Sequence, residues 1–175
     1  VKGISLFLVP KILANDDGSL GDSNDLKALS IEHKIGIHAC PTCVMSYGEE
    51  DGAIGYLVGE ENRGIQCMFT MMNNARLTVG LQGVSVSERA YQQALSFCNE
   101  RVQGIAPGFQ EPGPIARHPD VQRMLANMKS ITEAARALAY SACAEVDYSG
   151  SDLPAELLEK HKRKLGVLTP VVKGW

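Results

Sequence analysis

Small and apolar residues recur at steps of three and four positions between residues 64 and 104. This spacing predicts one continuous helix with one buried stripe along it. The stripe consists of Ala75, Val79, Gly83, Val86, Ala90, Ala94 and Phe97. About 38 residues at roughly 1.5 Å each give a helix on the order of 55 to 60 Å long. A helix of this length needs packing partners on several sides.

The pattern of apolar and turn residues predicts strands before this helix and two further helices after it. We expect strands over residues 3–10, 34–39, 44–47 and 53–58, and a loop over 11–25. A glycine- and proline-rich loop over 104–114 precedes a second helix, which opens at His118, Pro119 and Asp120. Its expected core stripe is Val121, Leu125, Met128, Ala135, Ala139, Ala142 and Val146. Ser151 or Asp152 is expected to cap a third helix, whose Lys160, Lys162, Arg163 and Lys164 predict a solvated basic face.

Composition and charge exclude several classes of protein. The net charge is −3 and 45% of the residues are hydrophobic, which is typical of an ordinary globular protein. A nucleic-acid-binding protein would carry a surplus of basic residues, so no nucleic-acid partner is expected. The chain has no run of 18 apolar residues, so we expect no membrane span. Five cysteines, an odd number, fit a reducing cytoplasm.

Two arginines on the long helix are candidates for contacting anions. Arg76 is the only charged residue between Ile65 and Ser87, and a guanidinium in so apolar a run needs an anion or carbonyl oxygens. Gly80 and Gly83, which follow it, suggest close approach of another backbone or a flat ligand. Arg101 lies on the same face about 37 Å further along the axis. This separation predicts two sites, for an extended cofactor or a second subunit.

Two long segments resemble a known family. MFTMMNNARLTVGLQGVSVSERAYQQALSFCNERVQG and LANMKSITEAARALAYSACAEVD are similar to the first helices of the C-terminal bundle of flavin-dependent acyl-CoA dehydrogenases. KIGIHACPTCVMSYGEEDGAIGYLVGEENRG resembles the end of that family's central β-domain. The likeness is greatest to the large, bacterial-type branch. It implies an α+β fold, with part of a β-barrel-like domain over residues 1–60 and the first three helices of an up-down bundle over 61–175.

The resemblance also implies a cofactor, a substrate and their binding residues. Arg76 matches an arginine beside the acyl-CoA cleft, and Asn73 replaces an aspartate that contacts coenzyme A in many relatives. Arg101, Gln103 and Gly104 match a turn whose arginine reaches the FAD pyrophosphate of a neighbouring subunit, although the phenylalanine of that turn is missing. The family further implies a homo-dimer or tetramer and an electron-transfer flavoprotein as partner.

The catalytic base is not expected within these residues. In this family a glutamate removes the α-proton of the thioester, and one branch carries it at the position that is Ala75 here. Other branches carry it later in the bundle, beyond Trp175. Glu88, Glu100 and Glu133 are expected to be surface or interface acids. The chain is therefore interpreted as an inactive fragment of an acyl-CoA dehydrogenase that acts with FAD.

One constellation suggests a different function. Cys40 and Cys43 form a C-P-T-C motif with His33 and His38 just upstream, which could bind zinc or act as a redox pair. Strand alternation would send the two cysteines to opposite faces, and no second CxxC follows, so no metal site is predicted. In the family resemblance, His38 and Cys40 replace an arginine and a serine. A helical oligomerisation module without catalysis is the other alternative.

Overall fold

The computed structural model describes residues 2–175, and the chain divides into a first compact unit that ends at Thr70 and a second unit, Met71–Trp175. The strands are β1 (Leu6–Leu8), β2 (Ile12–Ala14), β3 (Leu20–Ser23), β4 (Leu26–Ile31), β5 (Cys43–Tyr47) and β6 (Tyr56–Val58). The helices are α1 (Gly64–Glu100), α2 (Pro119–Ser149) and α3 (Ala155–Gly174). The predicted α+β class is confirmed. The domain boundary expected after residue 60 remains a prediction.

The first unit contains three antiparallel strand pairs. β1 pairs with β6, β2 with β3, and β4 with β5. The loop predicted over 11–25 is wrong, because the turn around Asn15 and Gly18 closes the β2–β3 hairpin with a bond from the amide of Asn15 to the carbonyl of Ser19 (2.9 Å). The strand predicted over 34–39 is also wrong. Ile37 there has a φ of +53°, which is incompatible with an extended strand.

Asn24 organises the first unit from a buried position. Its side chain is only 6% exposed, and its amide nitrogen donates to the carbonyls of Pro10 and Ile54, each at 2.8 Å. Its Oδ1 accepts from the amides of Asp25 (3.0 Å) and Ile54 (2.9 Å). One side chain therefore joins segments that are 14 and 30 residues away in the sequence. It satisfies backbone groups that short strands leave unpaired.

Six of the seven residues of the stripe predicted to be buried on α1 are exposed, and Ala94 is half-buried. Val86 is 69% exposed and Phe97 59%, and Ala75, Gly83 and Ala90 are exposed as well. The buried hydrophobic residues of α1 are Leu77, Val84 and Cys98, which lie on a different face of the helix. Both faces are apolar at helical spacing, so the periodicity alone could not decide which one packs in this chain.

The core of the second unit joins all three helices. Leu77 and Val84 of α1 pack with Ala139 and Ala142 of α2 and Val172 of α3. The predicted α2 stripe is confirmed up to Ala142, while Val146 is exposed and Glu145 is buried in its place. Pro119 occupies the first position of α2, as predicted. α3 begins after Pro154 without a side-chain cap, so capping by Ser151 or Asp152 was wrong.

Gly80 is the point of closest approach between α1 and α3. A Cβ atom at this position would lie 2.3 Å from Cγ1 of Val172 and 2.9 Å from its carbonyl oxygen. A Cβ atom at Gly83 would meet nothing within 4 Å. The close backbone contact inferred from the two glycines is therefore present at Gly80 and absent at Gly83.

Glu145 joins α2 to α3 from inside the core. It is 4% exposed, accepts a bond from Nζ of Lys164 at 2.5 Å, and lies 2.6 Å from Nδ1 of His161. The lysine and then the histidine hold the pKa of Glu145 below its ordinary value of about 4.5, since both stabilise the carboxylate. The ring of His161 also packs against the ring of Tyr148 at a tilt of 38°, with centroids 4.9 Å apart. Lys164 was predicted to belong to a solvated face; its side chain is 56% exposed, and it also makes this interhelical contact.

The two glycines of α1 give a matched pair of variants. We expect Gly80→Ala to destabilise the protein by about 1–3 kcal/mol, because the clash with Val172 exceeds the gain in helix propensity. Gly83→Ala should leave the stability unchanged or raise it by up to about 1 kcal/mol. Urea unfolding followed by circular dichroism measures both. Equal effects of the two variants would contradict the close approach at Gly80.

The Glu145 contact predicts a pH-dependent contribution to stability. Because the pKa of Glu145 is lower in the folded state, its carboxylate stabilises the fold above the ordinary value of about 4.5 and loses this effect as the pH falls through the lowered value. Glu145→Gln should therefore lower the urea midpoint near pH 7, and the difference from the wild type should shrink as the pH falls below about 4.5. Glu133→Gln, at an exposed acid of the same helix, is the control. A difference that does not depend on pH would contradict the role of the charge.

Candidate functional site

A groove between α1 and α3 contains the first candidate site. Its volume is about 490 Å³. The lining residues are Met72, Ala75, Arg76 and Val79 of α1 and Pro170 and Lys173 of α3. The α1 residues are spaced at i, i+3, i+4 and i+7, so they share one face of the helix. The groove thus combines an apolar wall with two cationic side chains.

The structure brings together the two residues predicted to bind substrate. Nη1 of Arg76 donates to Oδ1 of Asn73 at 3.3 Å, across one turn of α1. Asn73 is exposed and Arg76 is partly exposed. The neutral amide of Asn73 thus orients the guanidinium without neutralising its charge. Lys173 was not predicted for this site, since no pattern in the sequence shows which residue of α3 lies opposite Arg76.

The residues predicted to bind the cofactor form a turn directly after α1. Nη2 of Arg101 approaches Oε1 of Gln103 at 3.4 Å, and both side chains are exposed. Gly104 has a φ of +68°, a conformation that favours glycine. Arg101, Gln103 and Gly104 thus lie in one turn, and their contact with a cofactor remains a prediction.

Backbone bonds hold this turn against the following loop. The amide of Ile115 donates to the carbonyl of Arg101 at 2.8 Å, and the amide of Gln103 to that of Gly113 at 3.2 Å. Nε2 of His118 lies 3.0 Å from the carbonyl of Gln103. The turn is thus braced at three points, and its guanidinium and amide side chains extend from a fixed backbone. This is the donor set that binds phosphate groups well.

The loop over residues 104–114 is itself ordered by specific contacts. The guanidinium of Arg117 lies 4.6 Å from the centre of the Phe109 ring, a cation–π contact. Ala106 is buried, and the amide of Phe109 donates to its carbonyl. These contacts keep the loop against the turn that carries Arg101.

The two candidate sites are separated along one helix. α1 is continuous from Gly64 to Glu100, so Arg76 and Arg101 lie about 37 Å apart along its axis. A single small ligand does not reach both. Arg76 and Arg101 therefore belong to two separate candidate sites, one on α1 and one directly after it.

Comparison with known proteins identifies the family. The model for "Acyl-CoA dehydrogenase, C-terminal domain" matches residues 62–159, which include Arg76 and Arg101. The chain belongs to the acyl-CoA dehydrogenase family. Because this match covers more than half of the chain, the resemblance seen in its long helices is confirmed.

Curated acyl-CoA dehydrogenases match the chain over nearly its whole length. It is 46% identical over 177 residues to the 3-methylmercaptopropionyl-CoA dehydrogenase of Ruegeria pomeroyi, covering 100% of this chain and 29% of that protein. It is 36% identical over 181 residues to a butyryl-CoA dehydrogenase of Syntrophomonas wolfei, covering 99% of this chain and 30% of that protein. The chain thus spans less than a third of the length of these relatives.

A solved acyl-CoA dehydrogenase has the same fold. The butyryl-CoA dehydrogenase of Megasphaera elsdenii superposes with a TM-score of 0.60 at 23% identity, over 84% of this chain and 35% of that one. At this identity the match supports the fold alone.

The three glutamates that were expected to be surface or interface acids each contact another side chain of this acyl-CoA dehydrogenase segment. Glu88 is half-buried and pairs with Arg136 of α2 at 2.5 Å. Glu100 accepts a bond from Ser96 at 2.8 Å, and Glu133 lies 3.9 Å from Lys129. Ala75 lines the groove beside Arg76 and carries no titratable group.

The Cys40 and Cys43 motif lies in the first unit, apart from any cluster of ligands. Cys43 is the first residue of β5, Cys40 lies in the preceding loop, and both are free thiols. Among residues 2–175, no group of three or more histidine, cysteine, aspartate or glutamate side chains is arranged to hold a metal ion. His33 and His38 border a cavity of about 230 Å³ together with Glu32 and Lys34.

No helix within residues 2–175 is long and apolar enough to span a bilayer.

Proposed function

We propose that this chain is part of an FAD-dependent acyl-CoA dehydrogenase, which forms a double bond between the α- and β-carbons of an acyl-CoA thioester. The observation that carries the proposal is the family match over residues 62–159, because it includes Arg76, the α1 side of the groove and the turn at Arg101. The relatives named for acyl-CoA dehydrogenation support the same reaction.

The groove between α1 and α3 is the proposed site for the acyl-CoA substrate. Met72, Val79 and Pro170 offer an apolar surface, and Arg76 and Asn73 offer polar groups beside it. An acyl-CoA has the matching combination of an aliphatic chain, a pantetheine arm with amides, and phosphates. We propose Arg76 and Asn73 as substrate-binding residues on this basis.

The turn after α1 is the proposed contact for FAD. Arg101, Gln103 and Gly104 combine a guanidinium, an amide and an open glycine backbone, and these groups fit a pyrophosphate. When bound, FAD would supply the acceptor for the hydride that leaves the β-carbon. The residues of this chain would hold its phosphates and orient it, and the family resemblance favours an FAD that belongs to a neighbouring subunit.

The α-proton of the thioester requires a general base within hydrogen-bonding reach. Ala75 has no basic group, and Glu88 is held in an ion pair by Arg136. We propose that the base is supplied by residues other than these 175, so this chain alone is inactive. An electron-transfer flavoprotein is the proposed acceptor for the reduced enzyme, and the cytoplasm is the proposed compartment.

The exposed stripe on α1 favours homo-oligomerisation. Beyond the groove, Val86 and Phe97 present apolar side chains to solvent along one side of the helix, and such surfaces commonly mark contacts with other protein segments. A dimer or tetramer would cover this stripe. The same stripe also supports a second candidate, a helical oligomerisation module without catalysis, which would bind neither FAD nor acyl-CoA.

The two arginines predict separable binding defects in the full-length protein. Arg101→Gln should weaken FAD binding by about tenfold or more, because charge-assisted bonds to phosphate are lost. Arg76→Gln should weaken binding of butanoyl-CoA and leave FAD affinity nearly unchanged, since the two sites are about 37 Å apart. Arg123→Gln, at an exposed i,i+3 pair with Asp120, is the control. Fluorescence titration measures both ligands, and absence of saturable FAD binding in the wild type would favour the oligomerisation module.

The 175-residue chain should not turn over substrate. Incubated with FAD and butanoyl-CoA under anaerobic conditions, it should leave the visible absorbance of oxidised flavin unchanged, because no residue here is in place to remove the α-proton. A circular dichroism spectrum of the same sample checks that the helices are folded. Bleaching of the flavin by this chain would contradict the proposed location of the base.

A further inference from the structure

The side chain of His118 makes a contact that its own helix does not require. His118 occupies the N-cap position of α2, where serine, threonine, aspartate and asparagine are favoured because their side chains bond the first amides of the helix. The imidazole of His118 makes no such capping bond. Its Nε2 lies instead 3.0 Å from the carbonyl oxygen of Gln103, 15 residues earlier in the chain. Capping of α2 therefore does not explain where this side chain lies.

This contact is a hydrogen bond from the histidine to the turn after α1. A carbonyl oxygen only accepts, so Nε2 carries the hydrogen and donates it. The ring also lies against Gly104, because a Cβ atom at that position would be 3.7 Å from Cε1 and 3.8 Å from Nε2 of His118. His118 thus contacts two of the three residues proposed to bind FAD.

The backbone of His118 is fixed on both sides. Its amide donates to the carbonyl of Ile115 at 3.0 Å, and its carbonyl accepts from the amide of Gln122 at 3.0 Å. The residue is half-buried. A short side chain with few rotamers on a fixed backbone holds its ring nitrogen at a defined place. The start of α2 therefore provides a rigid anchor for the turn.

A series of contacts leads from this anchor to the guanidinium of Arg101. His118 holds the backbone of Gln103, and Oε1 of Gln103 accepts from Nη2 of Arg101 at 3.4 Å. Arg101 and Gln103 are both exposed, so this series restrains side chains that have little packing around them. An ordered side chain loses less conformational entropy when it binds a ligand, and the affinity is correspondingly higher.

We propose that His118 is a positioning residue for the cofactor site. It donates a hydrogen bond to the carbonyl of Gln103, holds the turn against the start of α2, and thereby orders the guanidinium of Arg101. His118 acts through Gln103 and Arg101 and does not itself contact the ligand. This inference rests on the proposed function, in which Arg101 contacts FAD.

Two substitutions in the full-length protein separate positioning from helix capping. His118→Gln keeps a side-chain N–H donor of similar reach, so the dissociation constant of FAD should stay within about twofold of the wild type. His118→Ser supplies a favoured cap for α2 but is too short to reach Gln103, so FAD binding should weaken by about tenfold. Fluorescence titration measures the affinity, and urea unfolding followed by circular dichroism measures the stability.

The order of the two variants decides between the explanations. We expect His118→Ser to be at least as stable as His118→Gln, because serine caps α2, and yet to bind FAD more weakly. A merely structural role of His118 would make affinity follow stability. Wild-type FAD affinity in His118→Ser would overturn the inference, and so would equal weakening in both variants.

A double-mutant cycle tests the route through Arg101. In the Arg101→Gln background, His118→Ser should change the dissociation constant of FAD by less than about twofold, because the side chain that it orders is absent. The same loss in both backgrounds would show that His118 acts independently of Arg101 and would overturn the inference. Arg123→Gln, at an exposed residue near the start of α2, should leave FAD affinity unchanged. The proposed function fails separately, through absence of saturable FAD binding by the wild type.

Discussion

The close approach of α1 and α3 at Gly80 is the constraint from which the geometry of the second unit follows. Any side chain at this position would collide with the backbone of Val172, so the crossing requires glycine. Leu77 and Val84, the buried residues on either side of it along α1, then pack against the small residues of α2. The groove that holds Arg76 begins one turn away from the same contact.

A second interaction fixes the other end of α3. Glu145 on α2 lies between Lys164 and His161, eight and eleven residues before Val172. The free energy of removing a carboxylate from water offsets much of the free energy gained from its ion pairs. Such a buried ion pair is therefore weak evidence for stability. It does make a shifted register of α3 costly, because a shift would leave the acid buried without a partner. The ion pairs of Glu145 and the contact at Gly80 thus fix α3 at two points along its length, and this places Lys173 at the groove between α1 and α3.

The helices could be predicted from the sequence more fully than the strands. Their bounds follow from periodicity, from Pro119 at a helix start and from the glycine-rich loop over 104–114, which are local signals. The strands around Asn24 depend on bonds to residues 14 and 30 positions away, and their side chains are largely exposed, so no alternation marked β2, β3 or β4. Ile37 adopts a left-handed conformation that its β-branched side chain disfavours, which no propensity could predict.

The candidate sites also contain residues that local spacing could identify and residues that only the packing of the helices brings together. Arg101, Gln103 and Gly104 are neighbours in the sequence, and Arg76 is one turn from Asn73, so both groups could be found from local spacing. Lys173 lies 97 residues after Arg76 in numbering and reaches its groove only through packing of α3. The buried face of α1 could not be predicted for a related reason. The helix has two apolar faces that repeat with the same period, so the sequence does not indicate which of them packs against the other helices.

Pro170 gives the end of α3 a distinct behaviour. It lies inside the helix and lacks an amide hydrogen, so the carbonyl of Gly166, four residues earlier, has no intrahelical donor. The ladder of hydrogen bonds is interrupted one turn before the helix ends. The last turn therefore opens by breaking fewer bonds than the rest of α3, and its amides exchange with deuterium faster than those around Lys164.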